Sequence, residues 1–105
     1  MNISEISKSN AERLGEYTIR LQTIEECGEL IKAICKYNRV LGHGQKTETT
    51  YKEALTNLID EIADVSICIE QMIYLNDIES EVRDAKLRAF NKVANRLNGS
   101  DINEC

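Results

Sequence analysis

Residues 50–77, TYKEALTNLIDEIADVSICIEQMIYLND, decide the fold. Leu58, Ile62, Val65, Ile69 and Met72 recur at alternating spacings of four and three, the period of one helix face. Thr50 followed three residues later by Glu53 has the form of a capping box, which satisfies N–H groups that a helix start leaves unpaired. Asn76 and Asp77 supply a polar break at the other end. The stretch predicts a helix from about Tyr51 to Asn76.

Upstream, Gly42 to Thr50 is polar and is the one convincing loop. Before it, a first helix is expected from Ser9, where Ser9-Asn10-Ala11-Glu12 has the capping-box form, to about Leu41, with Gly42 as a left-handed cap. Leu21, Ile24, Gly28, Ile31 and Cys35 form its apolar stripe, while Leu30, Ala33 and Tyr37 lie well away from that stripe. Downstream, a thinner stripe of Val82, Ala85, Ala89, Val93 and Leu97 predicts a third helix from Ile78 to Leu97, stopped at Gly99. Residues 99–105 are expected to be a frayed tail. The first ten residues leave room for a short additional helix.

The reading is therefore one all-α domain over residues 1–105, with its core at 9–98 and three long helices in a bundle. The chain contains no proline, so nothing forbids a helical hydrogen-bond ladder over long stretches. The first two helices are apolar on more than one face, and three helices cannot cover all of that surface. Homo-oligomerisation is expected to complete the bundle.

The 105 residues carry 13 Lys and Arg against 18 Asp and Glu, a formal net charge of −5. That balance argues against a nucleic-acid polymer as partner, since such binding rests on basic residues neutralising phosphates. It does not oppose a nucleotide bound together with a metal ion, which supplies positive charge locally. The N-terminus has neither the apolar run of a signal peptide nor an arginine-rich transit bias, and no stretch suits a membrane span. A cytoplasmic protein is expected. Cys27, Cys35, Cys68 and Cys105 make no CxxC pair, and His43 stands alone in the loop. A zinc site is disfavoured, and the cysteines are expected to be buried, reduced thiols.

The chemistry lies in two acidic clusters. Glu25-Glu26-Cys27-Gly28-Glu29 stands on the first helix and Glu61-Ile62-Ala63-Asp64 on the second. Glu26 with Glu29, and Glu61 with Asp64, are pairs at i and i+3, one turn apart on one face. On a helical wheel Glu61 falls between Leu58, Val65 and Cys68, inside the core-facing stripe, and Asp64 lies at its edge. Glu25 and Glu29 border the first helix's stripe, with Glu26 further round. A carboxylate facing a helix interface is unfavourable unless paired or bound to a cation. Hard cations, Mg²⁺ or Mn²⁺, resolve that conflict because they favour oxygen ligands. The ordinary alternative is a solvated acidic face, or acids paired with Lys32, Lys36 and Arg39.

Gln22 to Ile34, with Glu25, Glu26 and Glu29, resembles the first motif of the MazG-like nucleotide pyrophosphohydrolases, EExxE. Leu58 to Val65, with Glu61 and Asp64, resembles the second, ExxD. The resemblance spans about residues 14 to 97. The 31 residues between Glu29 and Glu61 are more than is usual in that family, and the excess fits the Gly42–Thr50 loop. The third helix matches the family's basic C-terminal helix only loosely.

The resemblance implies Mg²⁺-dependent hydrolysis of a nucleoside triphosphate to monophosphate and pyrophosphate. It implies Glu26, Glu29, Glu61 and Asp64 as metal ligands, with Glu25 helping to orient the attacking water. It also implies a dimer or a dimer-of-dimers tetramer. Lys32, Lys36 and Arg39 share a helix face and are candidate phosphate contacts, as are Lys92 and Arg96; surface pairing is the ordinary role of such residues. No Gly-rich phosphate loop and no Ser-His or Cys-His pairing is present. The tyrosines and Phe90 form no spaced set that would select a base. Two other readings stay open: a phosphoribosyl-ATP pyrophosphohydrolase-like enzyme, and a non-catalytic helical oligomerisation or regulatory module.

Overall fold

Four α-helices follow one another in the computed structural model, which describes residues 1–99: α1 (Ile3–Leu14), α2 (Glu16–Val40), α3 (Tyr51–Asn76) and α4 (Glu79–Leu97). No strand occurs among the described residues, and none of their helices is long and apolar enough to cross a membrane. Of the tail expected at 99–105, residues 100–105, with Cys105, lie outside the described residues.

The expected first helix is two helices. Gly15 stands between α1 and α2 with φ 85° and ψ 165°, a region open essentially only to glycine, and the chain turns there. The Ser9 capping box therefore lies inside α1 and caps nothing. The working cap is Asn2: its side chain accepts from the Glu5 N–H at 2.8 Å, and the Glu5 carboxylate accepts from the Asn2 N–H in return. At α3 the expected start holds, with the Thr50 hydroxyl accepting from the Glu53 N–H at 3.2 Å. The expected glycine cap of α2 holds as well. Gly42 has φ 92°, and the Gly42 and His43 N–H groups return to the Arg39 and Asn38 carbonyls. α3 ends at Asp77, in the left-handed conformation at φ 52°.

α2 and α3 form an antiparallel hairpin. Tyr37 meets Tyr51 near the loop, Glu26 meets Glu61 midway, and Thr23 meets Cys68 beyond them. The α2 side of this seam is Ile19, Thr23, Glu26, Leu30, Ala33 and Tyr37; the α3 side is Ala54, Leu58, Glu61, Val65, Cys68 and Met72. All twelve are buried or half-buried. Each set runs at alternating spacings of three and four, the heptad pattern of a coiled-coil seam. Ala33 and Ala54 are essentially inaccessible, so small side chains let the backbones approach. Ile19 is fully buried, which contributes roughly 2 kcal/mol.

This corrects the expected face of α2. Leu21, Ile24 and Ile31 are 42%, 68% and 63% exposed, and Cys35 is exposed as well. The residues set apart from that stripe, Leu30, Ala33 and Tyr37, are the ones that meet α3. α2 is apolar on two faces, and hydrophobicity alone did not say which one the intrachain partner takes. On α3, Leu58, Val65 and Met72 face inward as expected, but Ile62 and Ile69 are exposed.

α1 folds back over the distal end of the hairpin. Ala11 is fully buried, the Gln71 amide donates to the Ser7 carbonyl at 3.1 Å, and the Tyr74 hydroxyl donates to Glu12. Among the described residues α4 touches only α3 and buries no residue, so its expected stripe stays open apart from half-buried Val82. The outcome is an extended molecule. Its radius of gyration is 17.8 Å, against about 13 Å for a compact chain of this length.

Gly15→Ala is expected to destabilise the chain by about 1–3 kcal/mol, because alanine is strained at this backbone conformation. The measurement is a urea unfolding midpoint; an unchanged midpoint would show that the turn does not depend on glycine.

Candidate metal centre

The seam brings three acids together at its middle. One oxygen each from Glu26, Glu61 and Asp64 lies within 4.8 Å of the others. α3 supplies Glu61 and Asp64 one turn apart, and α2 supplies Glu26 from the opposite wall. Glu61 lies in the seam, as its wheel position anticipated, and so does Glu26, which the wheel set further round; the Glu61 Oε2 is buried with no hydrogen-bond partner among the described residues. An orphaned buried carboxylate oxygen beside two further carboxylates is a strongly unfavourable arrangement unless a proton or a cation joins it.

The protonation of Glu61 records that conflict. Burial pushes its pKa up, the adjacent Glu26 adds to the effect, and the charges of Asp64 and Glu29 add less. Cys68 lies close by, and its thiol is also pushed up, by burial first and then by Glu26, against an opposing hydrogen bond with Thr23. A thiol held protonated is a poor nucleophile.

The donor set suits a hard divalent cation. All three contributors are carboxylates. An octahedral Mg²⁺ with oxygens at about 2.1 Å needs ligand oxygens roughly 3–4 Å apart, within reach of small side-chain rotations here. The fit is chemical: oxygen donors of the right charge, one of them orphaned.

The other expected site residues are placed differently. Glu29 is outside the close group; its carboxylate takes the Lys32 ammonium at 3.4 Å, a pair too exposed to add much stability. Glu25 is exposed and also outside the group. Lys36 and Arg39 are exposed further along α2, and Lys92 and Arg96 are exposed on α4. Among the described residues none of these four has an ion-pair partner, and nothing ties them to the acids.

A recess of about 240 Å³ opens beside the acids, with Glu26 and Asp64 on its wall. Asn10, Gln22 and Gln71 also line it, and sequence reasoning did not single them out. Two of them carried a signal. Gln22 stands four residues before Glu26 and Gln71 seven after Asp64, spacings that keep each on its acid's helix face. Asn10 carried none, because its place depends on the turn at Gly15. A larger hollow of about 510 Å³ lies between α1 and the end of α3, against Ile3, Ile73 and Tyr74, and holds none of the three acids.

Compared with protein-family models, with curated proteins and with solved structures, the chain matches none.

The pH dependence of stability follows from Glu61. Its folded-state pKa lies above its unfolded value, so the folded chain holds this proton to higher pH than the unfolded chain does. Without a cation, the group's contribution to stability is most favourable below the ordinary carboxylate range and declines as pH rises through the raised value. Glu61→Gln is therefore expected to raise Tm at pH 7 in EDTA, with the gain vanishing as pH falls below the ordinary carboxylate range. Circular-dichroism melts of both proteins from pH 4 to 8 measure this. A lower Tm for the variant at pH 7 would contradict an unfavourable buried charge.

Proposed function

We propose that this chain is a divalent-cation-dependent hydrolase that cleaves a nucleoside triphosphate to a monophosphate and pyrophosphate. One observation carries the reading: the orphaned Glu61 oxygen, facing Glu26 across the helix seam with Asp64 one turn along its own helix. Three converging carboxylates weaken the fold, and a cation-dependent activity gives a reason to keep them. The EExxE and ExxD spacing, and the resemblance to MazG-like pyrophosphohydrolases built on it, supply the substrate class.

Glu26, Glu61 and Asp64 would hold the cation, with Glu29 next in line if the Lys32 pair opens. Bound Mg²⁺ would offset the triphosphate's charge and make a water molecule more acidic. The chain's own residues do the rest. Water attacks the α-phosphorus, the bond to the bridging oxygen breaks, and pyrophosphate leaves. Glu25, outside the close group, would orient the water and accept its proton. Lys36 and Arg39, free of acidic partners, are available to the phosphates.

The functional unit would be a homo-oligomer, a dimer or a dimer of dimers, in the reducing cytoplasm. The single chain exposes 8185 Å², where a compact monomer of this size exposes about 6,000 Å². The excess, roughly 2,000 Å² per chain, would come to about 4,000 Å² over two chains, in the range that obligate interfaces bury in total. Ile24 and Ile31 on α2, and Phe90 and Leu97 on α4, are more than 60% exposed. That same surface favours the second reading, a helical assembly module without catalysis.

Two measurements test these statements. Pyrophosphate release from a panel of NTPs and dNTPs should require Mg²⁺ or Mn²⁺ and stop in EDTA. Glu61→Gln should abolish it while leaving the helical circular-dichroism spectrum intact. Turnover near wild type in that variant would remove the assigned site; no turnover of any nucleotide by the wild type would favour the assembly module or a phosphoribosyl-ATP substrate. Sedimentation should show a dimer or tetramer, and Ile24→Glu with Ile31→Glu should shift it to monomer. A monomeric wild type at micromolar concentration would refute the assembly.

A further inference from the structure

We infer that the recess beside the acids seats the nucleobase, and that the Gln22 carboxamide reads its edge. This deepens the hydrolase reading and rests on it.

The walls carry the inference. Among the residues lining the recess none is Lys, Arg or His, so it offers nothing to a phosphate away from the acids. Ile67 and Cys68 provide apolar surface, and Asn10, Gln22 and Gln71 provide neutral amides. Away from the two acids the walls are two apolar side chains and three neutral amides, a mixture that suits an uncharged, flat heterocycle with polar edges. The volume, about 240 Å³, is below the usual range for a pocket that takes a whole ligand, room for a base but not for a sugar and triphosphate as well.

The three amides differ in what they have left to offer. Gln71 is only 4% exposed, and its Nε2 is committed to the Ser7 carbonyl at 3.1 Å. Asn10 accepts a long contact from Arg13 at 3.5 Å. Gln22 is half-buried, and its side chain makes no hydrogen bond among the described residues. It keeps N–H donors beside a carbonyl acceptor, the pairing that a carboxamide uses to grip a base edge at two points. Gln22 also lies one helical turn, about 6 Å along the axis, from Glu26. The phosphates would then reach the acids while the base points into the recess.

The test uses the full chain and Gln22→Met, which keeps length and helix preference but removes the amide. Steady-state kinetics with ATP, GTP, CTP and UTP in Mg²⁺ should show the ratio between best and worst base falling tenfold or more, chiefly through KM. In parallel, NMR titration of the wild type with the four free nucleosides, in EDTA, should shift the Gln22 side-chain amide signals. An unchanged base ranking in the variant, or unmoved Gln22 signals, would overturn the inference. If the wild type hydrolyses no nucleotide, the hydrolase reading fails by itself. The nucleoside titration, which needs neither metal nor turnover nor a folded variant, then decides the recess alone.

Discussion

Glu26 and Glu61 meet across the α2–α3 seam, and the rest of the molecule is arranged around that meeting. A heptad seam normally gains from every position it buries, and here a central position on each helix is an acid. The apolar members, Ile19, Ala33, Ala54 and Val65, must hold the hairpin together against the repulsion between them. Ala33 and Ala54 bring the backbones close toward the loop, while Ile19 and Val65 fill the seam toward α1. The acids are thus flanked by packed apolar residues on both sides along the seam.

Much of this was legible in the sequence. The all-helical class follows from the period of the apolar residues and the lack of proline. The start of α3 follows from Thr50 and the end of α2 from Gly42, since caps are short-range chemistry written in a few adjacent residues. The position of Glu61 within the seam follows from Leu58, Val65 and Cys68, which flank it at helical spacing. Two things were not legible. Glycine at position 15 is permissive, not directive, so a turn there depends on how α1 packs against Gln71 and Tyr74, contacts more than sixty residues away. The inward face of α2 was ambiguous because both faces are apolar, and the face that packs is the one that carries Ile19 and Ala33.

That ambiguity has a physical meaning of its own. A helix with two apolar faces has two things to cover, and among the described residues α3 covers one of them while α1 reaches only its beginning. α4 does not help, since it leaves α3 at Asp77 and buries nothing of its own. The hairpin supplies the three acids and most of the recess, and α1 completes the recess with Asn10. The local chemistry and the unfilled outer surface therefore belong to different parts of the fold. The acids are set by the hairpin's inner seam, while the exposed apolar residues lie on the outward stripe of α2 and on α4.

The ring contact at the loop end of the hairpin gives the molecule an optical property. Tyr37 and Tyr51 stand with ring centroids 5.9 Å apart and planes tilted by 42°, and the chain contains no tryptophan. Phenol emission is therefore not drowned by indole, and two of the four tyrosines sit across the seam from each other. Each belongs to one arm of the hairpin, so the separation of the two fluorophores tracks whether the arms are closed. The native chain thus carries its own reporter on the element that holds Glu26 against Glu61, with no dye and no engineered label.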